Sequence, residues 1–313
     1  MIATRAAGVP GVAALAVLVV LSVALLAGAV RLEAVRERAY PASADDEDAV
    51  YVRSGTAIRR MSGAFSALAA DVYWIRTVQY YGGLKRTKAP ETLAPAPPLL
   101  LTPLQYQQLF PLLDIVTTLD PRFTVAYRFG AVFLAEEPPG GPGRSDLAIK
   151  LLEKGLAAQP DKWEYMEDAG FVHYWYRHDY REAAVWFNRA ADVPRAPVWL
   201  RALAATTLAR GGDRRSSRTM WEAIRQSDFD WLRANAEFRL AQLRALDDMD
   251  ALQSIVDRLG KGGAPVVSWR ALVLARVLAR VPVDPRGTPY ELSGGRVQLS
   301  RSSPLWPLPV EPS

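Results

Sequence analysis

The residues best suited to chemistry lie between positions 164 and 179. His173 and His178 are the chain's two histidines, and Asp168 or Asp179 could complete a zinc site with them. A separation of five residues places two side chains on different faces of a helix, so these groups do not converge. We therefore expect no metal site, and nothing in the sequence calls for a cofactor.

A pair of carboxylates, Glu164 and Glu167, could in principle act as the acid and base of a glycan-cleaving enzyme. Residues three apart on one helix cannot by themselves flank a sugar. The chain has 0 cysteines, which excludes thiolate chemistry, and "GGPGRS" at 140–145 lacks the spacing and lysine of a phosphate loop. No GxSxG or HExxH motif occurs either. The sequence predicts a protein that is not an enzyme.

Charge gives little indication of a nucleic-acid partner, because the formal net charge of +5 is spread over 313 residues. The densest basic stretch is "ARGGDRRSSR" at 209–218, which could meet anionic lipid or an acidic partner. We expect it to be a solvated turn between helices. The acidic "DDMD" at 247–250 is interpreted as a turn and helix cap.

The first 38 residues predict a membrane anchor. No charge occurs from Gly8 to Val30, a stretch about as long as a helix needs to cross a bilayer. A cleaved signal peptide is the alternative, since Arg5 precedes the apolar run and Ala27-Gly28-Ala29 has the form of a cleavage site. The arginines after the run, at 31, 36 and 38, favour a cytoplasmic domain. The layout of an anchored, exported domain favours the periplasmic face of a bacterial inner membrane, which we prefer.

Between the anchor and residue 120 the pattern is irregular. Residues 39–55 form an acidic linker, and 56–120 a divergent helix pair. Its first helix is predicted over 56–81, ended by Gly82-Gly83. The proline-rich insertion 84–102 is predicted to be an exposed excursion.

Residues 121–227 repeat at intervals of 35 and 34 residues. The first halves of the units share small residues at Gly130, Gly170 and Ala204, with the insertion "EEPPGGPGRSD" lengthening the first of these units. Two of the second halves share a small, large, small and proline pattern, in which Ala148, Leu152, Gly155 and Pro160 match Ala183, Phe187, Ala190 and Pro194. The next unit has Ser217, Trp221 and Ile224 at the first three of these places. Small residues allow helices to cross closely, and the large ones fill the space between helix pairs.

This pattern resembles tetratricopeptide (TPR) repeats of bacterial membrane-anchored proteins. The resemblance implies an all-α, antiparallel helix-pair solenoid whose first helices line a concave groove. Carrying the family's groove positions onto this chain predicts a partner-binding set of aromatic, acidic and basic side chains: Tyr127, Glu164, Glu167, Phe171, Tyr174, Trp175 and Arg201, with Val198 and Ala205 beside them. Such a surface suits a peptide that presents a basic residue beside an apolar one. His173 is expected to pack, and His178 to lie in a turn.

The C-terminal part loses the repeat. Residues 228–281 predict degenerate helices, including a pair that "DDMD" separates and a last apolar helix in "VVSWRALVLARVLARV". In 282–313, "TPYEL" and "RVQLS" flank Ser293-Gly294-Gly295 and predict a short β-hairpin. "DPRGTPY" at 284–290 also resembles a stretch before the C-terminal ribbon of type II secretion pseudopilins. A loop capping the solenoid is the alternative.

The function expected from these features is a membrane-anchored scaffold or adaptor that binds proteins in the bacterial cell envelope. The alternative is a component of an envelope secretion, pilus or polysaccharide-export machine that docks through its C-terminal hairpin. Both are expectations from the fold resemblance and from the anchor.

Overall fold

The computed structural model describes residues 12–39, 54–86, 106–138, 140–261 and 268–309. The chain divides into two units, Met1–Tyr51 and Val52–Ser313. In the first unit, helix α1 (Val12–Ala39) exposes valine and leucine side chains between Val17 and Val35. Within the described residues, no helix combines the length and the apolar character that crossing a membrane requires.

The second unit is mainly α-helical, which confirms the predicted fold class at that level. Its helices are α2 Gly55–Ser62, α3 Ser66–Arg86, α4 Leu109–Leu119, α5 Thr124–Ala135, α6 Ser145–Ala158, α7 Trp163–Tyr176, α8 Tyr180–Ala191, α9 Trp199–Arg210, α10 Arg214–Ile224, α11 Asp230–Lys261 and α12 Trp269–Leu274. A short 3₁₀ turn, Gly63–Phe65, joins α2 to α3. The predicted excursion at 84–102 lies outside the described residues, apart from the last turn of α3.

Helices α4 to α11 form a succession of packed neighbours. Each contacts the next, and alternate helices also touch at α4–α6, α5–α7 and α9–α11. The largest buried side chains of this array include Tyr127, Tyr165, Phe187 and Trp221. Since one helix pair cannot bury its apolar face alone, stacking of pairs supplies the continuous core.

The turns inside three successive helix pairs share one backbone feature. Gly143, His178 and Gly212 all have positive φ, at 66°, 51° and 77°, and stand 35 and 34 residues apart. After two of them an aspartate caps the next helix: Asp179 accepts from the Glu182 amide at 3.0 Å, and Asp213 from that of Ser216 at 3.1 Å. These turn conformations recur at the predicted spacing, and His178 is the turn residue that we expected.

The glycines predicted at helix crossings do allow close approach. A β-carbon on Gly170 would meet the ring of Phe187, with Cδ1 at 2.6 Å, and one on Gly130 would meet Leu113 Cδ2 at 2.6 Å. Both lie well inside van der Waals contact. At Gly170 the rigid ring makes the small side chain a packing requirement, whereas at Gly130 the contacts are leucine methyl groups, which have more freedom to shift.

Helix boundaries outside the repeats differ from the prediction. The helix predicted over 56–81 breaks at Gly63, whose φ of 51° a helix does not accommodate, and its second part continues through Gly82-Gly83 to Arg86. Glycine weakens a helix without necessarily ending it, and the packing of α3 on α4 carries it further. The prediction that Gly82-Gly83 ends the helix was wrong.

The C-terminal helices also differ. The predicted helix pair is one helix, α11, and "DDMD" lies within it rather than at a turn. Asp247 and Asp250 bind Arg214 of α10, at 3.2 Å and 2.6 Å, so they serve as partners for the neighbouring helix. The last predicted helix is only the six residues of α12, and Arg276 shortly after it has a φ of 56°.

The predicted hairpin is confirmed. Strand β1 (Glu291–Ser293) pairs antiparallel with β2 (Arg296–Gln298), and Leu292 stands opposite Val297. The turn is Gly294-Gly295, with φ values of 57° and 76°. Two residues with positive φ are what a tight hairpin turn of this twist requires, which explains the glycine pair.

Candidate functional site

Tyr127 is the predicted groove residue that the structure moves into the core. Its side chain has 0% exposure, its ring lies 5.1 Å from that of Tyr165, and its hydroxyl points to the Thr117 carbonyl at 3.4 Å. Burial raises the pKa of this hydroxyl, and the nearby Tyr165 raises it further. The prediction that Tyr127 contacts a partner was therefore wrong.

The acidic part of the predicted groove is neutralised within the protein. Arg128 donates to both carboxylate oxygens of Asp168, from Nε at 2.6 Å and Nη2 at 2.9 Å, and its Nη2 lies 3.6 Å from Glu167 Oε2. Glu164 pairs with Lys162 at 3.2 Å. The Arg128 contacts tie α5 to α7, and together with Lys162 they leave the carboxylates with partners before any peptide arrives.

Burial controls the protonation of two of these carboxylates. It raises the pKa of Asp168, and Arg128 opposes the rise through its hydrogen bonds and charge. The pKa of Glu167 is also raised by burial and by the neighbouring Asp168. Arg128 thus holds two partly desolvated carboxylates in place. Sequence inspection missed it because its partners lie about 40 residues away, one repeat further on.

The aromatic part of the predicted groove lies on α7 and the turn after it. Phe171 meets Phe187 edge-on at 5.1 Å and is mainly a packing residue. Tyr174 meets the rings of Trp175 at 4.9 Å and Tyr180 at 5.3 Å, while the guanidinium of Arg210 lies over its ring at 5.2 Å. These three contacts hold the Tyr174 ring in place, and Tyr174 in turn packs against the indole of Trp175.

Trp175 is the groove residue most available to a partner, since 57% of it is exposed. On α5, the helix that contacts α7, Val125, Phe129 and Val132 are also exposed and recur at helical spacing. An indole and apolar side chains that stay in contact with water can supply binding area on desolvation.

Arg201 lines a cavity of about 390 Å³ between α8, α10 and the start of α9 and α11. The cavity is mainly apolar, and its polar side chains are few. Its lining comprises Asn188, Ala191, Ala196, Pro197, Val198, Arg201, Met220, Ala223, Ile224, Ser227 and Leu232. The predicted groove residues Val198 and Arg201 are therefore together, whereas Ala205 is buried in the core.

One residue in the loop at the rim of this cavity has a positive backbone φ angle. Arg195 has a φ of 67°, an uncommon conformation for a side chain other than glycine, and it precedes the lining residue Ala196. Arg201 Nη2 lies 2.9 Å from Asp192 Oδ1 at the same rim. A cavity of this size with one guanidinium at its edge can accept an apolar side chain beside an acceptor group.

The two histidines lie in different environments, one buried and one exposed. His173 is buried, its Nδ1 has no hydrogen-bond partner in the described structure, and burial lowers its pKa. His178 is exposed in its turn. No group of three potential metal-ligating side chains lies together in the described ranges.

The basic stretch 209–218 is largely paired. Arg214 and Arg218 bind Asp247, and Arg214 also binds Asp250 on α11. Asp213 caps α10 and lies 3.1 Å from Arg181. The stretch therefore mainly forms ion pairs with neighbouring helices, and it contributes little to a cationic surface.

The C-terminal hairpin is bound to the helices. Gln253 of α11 donates to the Gly295 carbonyl at 2.9 Å and accepts from the Val297 amide at 2.8 Å. The indole of Trp269 donates to the Tyr290 carbonyl at 2.7 Å, and the Tyr290 hydroxyl donates to Asp248 at 3.1 Å. These contacts favour the capping interpretation.

The stretch that resembles a pseudopilin loop is likewise satisfied internally. Asp284 is buried, accepts from the amides of Arg286 at 2.8 Å and Thr288 at 3.0 Å, and also binds the Ser303 hydroxyl. This carboxylate organises the loop.

Comparison with known proteins identifies no relative. No family model, no curated protein and no solved structure matches this chain.

Proposed function

We propose that this chain is a scaffold whose tetratricopeptide-like helix array binds a segment of a partner protein. The support is the recurrence of packed helix pairs, with crossing glycines at 130 and 170 and turn residues 35 and 34 residues apart. Such arrays bind extended ligands along one surface, because each repeat adds a further piece of the same face. The assignment to this repeat class rests on the pattern alone.

The observation that carries the binding role is the apolar cavity of about 390 Å³ beside Arg201. Apolar side chains line this space and remain in contact with water in the isolated chain, so a ligand that covers them gains burial. An apolar side chain of a partner would fill it, and a carboxylate or carbonyl next to that side chain would meet Arg201. Glu167 and Asp168 of α7 are largely buried against Arg128, whereas in the described structure Arg201 pairs only with the exposed Asp192, a contact that a ligand carboxylate can displace. The ligand that we now favour therefore differs from the basic peptide suggested by the sequence.

A second contact would come from Trp175, at the other end of α7. Trp163 at the start of α7 lies 6.5 Å from Trp199, which follows the cavity residue Val198. The twelve residues from Trp163 to Trp175 span about 18 Å at the helical rise. A segment reaching from the cavity to Trp175 therefore needs about six extended residues.

The test is binding of heptapeptides selected from a random library against the purified chain. Met220→Trp should fill the cavity, and Arg201→Ala and Trp175→Ala should each weaken binding roughly tenfold, the loss of one good interfacial contact. Val185→Ala is the matched control, since Val185 is exposed on α8 outside the proposed surface. Selected peptides that bind all four variants and the wild type equally well would remove the proposal.

We also propose, from the sequence, that residues 1–38 attach the chain to a bacterial inner membrane with the second unit in the periplasm. Alkaline extraction of membranes and a reporter fused after Ser313 test attachment and orientation separately. A chain released at high pH contradicts the anchor, and reporter activity on the cytoplasmic side contradicts the orientation.

The alternative function is docking into an envelope secretion, pilus or export machine through the hairpin. The test is to substitute residues on the exposed edges of the two strands. Gln253 and Tyr290 are kept, because they bind the hairpin to the helices. Loss of assembly in a folded chain would favour the machine; unchanged assembly would favour a cap.

A further inference from the structure

Helix α3 and the last residue of the 3₁₀ turn before it present an apolar stripe to solvent that the described protein does not cover. The stripe consists of Phe65, Leu68, Val72 and Ile75, whose exposed fractions are 71%, 61%, 58% and 56%. We call it the outer stripe. The opposite side of the helix, with Ala70, Thr77 and Tyr81, is buried and packs on α4. A helix that is apolar on two opposite sides is typical of one that is covered on both.

The spacing of the outer stripe specifies what can cover it. Its members follow one another by three, four and three residues, which is the a and d pattern of a two-stranded coiled coil. Gln79 and Gly82 continue the same series. At Gly82 and Gly83, apart from the chain neighbours and the nearby backbone of α3 itself, no described atom lies within 4 Å of where a β-carbon would stand. These glycines weaken the helix, and no contact described inside the chain requires them. They would allow a second helix to approach closely at this place.

The charges beside the outer stripe complement those of a second copy of the same helix. Asp71 and Arg76 flank it at the g and e positions, five residues apart. In a parallel pair of identical helices, a g residue of one chain faces the following e residue of the other, so Asp71 would face Arg76 of the second copy.

We propose that two copies of this chain pair in parallel, α3 against α3, through the outer stripe. Parallel pairing places the N-terminal ends of the two α3 helices at the same end of the pair. The partner-binding surface on α5 to α11 is not involved, so the dimer and the proposed function can fail separately.

The absence of cysteine makes the test direct, because a single introduced cysteine can form a disulfide only with its counterpart in a second chain. Leu68→Cys and Ile75→Cys in the full-length chain should each give a disulfide-linked dimer under mild oxidation. Ala67→Cys is the matched control, exposed on the same helix but off the stripe. It should stay monomeric.

An antiparallel pair would instead place Leu68 of one chain near Ile75 of the other. Mixing the two cysteine variants would then give mainly the mixed disulfide, which overturns the parallel arrangement. Monomers at all three positions overturn the dimer, and they are the result expected if lipid or another segment of the same chain covers the stripe. Equal disulfide formation at Ala67 also overturns it, because it indicates random collision.

Charge reversal supplies an independent measurement. Asp71→Arg or Arg76→Glu alone should weaken dimerisation by at least about tenfold in light scattering, since each creates like charges across the pair. The double variant should restore the dimer. Neither residue is buried, so the variants should keep the helical fold, which circular dichroism checks. Failure of the double variant to recover contradicts the parallel register.

Discussion

Replacing Gly170 with alanine tests whether close helix crossing governs the stability of the array. Alanine has the higher helix propensity, by about 1 kcal/mol in a helix interior, so the local effect alone is stabilising. The structure predicts the opposite net result. The new methyl group would overlap the ring of Phe187, whose Cδ1 and Cζ would lie at 2.6 Å and 3.0 Å.

The magnitude follows from how little the ring can move. Phe187 is 0% exposed and meets Phe171 edge-on at 5.1 Å, so it has no free space to enter. Overpacking of this kind costs about 1–3 kcal/mol, and the fixed ring puts this site at the upper end. Subtracting the propensity gain leaves a net loss of about 2 kcal/mol. For a unit of this size that lowers Tm by about 4–8 °C.

The assay is chemical and thermal unfolding, with two comparisons. Gly260→Ala is the matched control, because Gly260 lies in α11 with nothing within 4 Å of the new methyl group, and it should be neutral or slightly stabilising. Combining Gly170→Ala with Phe187→Leu should recover part of the loss, with a coupling energy on the order of 1 kcal/mol. If Gly170→Ala behaves like the control, helix crossing at this position does not require glycine, and the packing argument is wrong.

Three further variants follow from individual contacts. Arg128→Met should cost about 1–3 kcal/mol of unfolding free energy at pH 7, because it leaves two partly buried carboxylates unpaired. The loss should shrink near pH 4, because without Arg128 the folded-state pKa of both carboxylates rises and the native protein takes up protons there. The control is Arg144→Met, which removes an exposed ion pair and should cost under about 1 kcal/mol at either pH. His178→Gly should stabilise by up to about 1 kcal/mol, because glycine adopts the positive φ without strain, and a loss would contradict that reasoning. Tyr290→Phe should cost about 1 kcal/mol in urea unfolding if its hydroxyl secures the hairpin to α11, whereas no change would mean that this bond is unimportant.

The features predicted correctly are those set by repeated packing. Small residues at Gly130 and Gly170 occur because two helices cross there, and the two glycines hold corresponding places in successive helix pairs. The hairpin turn was likewise predictable, because Gly294-Gly295 provides the two positive φ angles locally. Periodic and local constraints leave a signal in the sequence itself.

The errors come from contacts between distant parts of the chain. Tyr127 was assigned to a groove by its place in the repeat, but Tyr165 from the next unit packs against its ring. Asp247 and Asp250 have the composition of a turn, yet arginines of α10 bind them along an unbroken helix. The cavity beside Arg201 forms only where four helices meet, so no single stretch of sequence indicates it.

The most direct measurement of the central claim is photo-crosslinking from inside the proposed surface in living cells. A photoreactive residue placed at Val198 or at Trp175 should link to the same partner protein, and Met220→Trp should abolish the link from Val198. The same residue at Val185 should link to nothing specific. Equal links from all three positions, or links that are insensitive to Met220→Trp, would contradict a scaffold that binds through this surface.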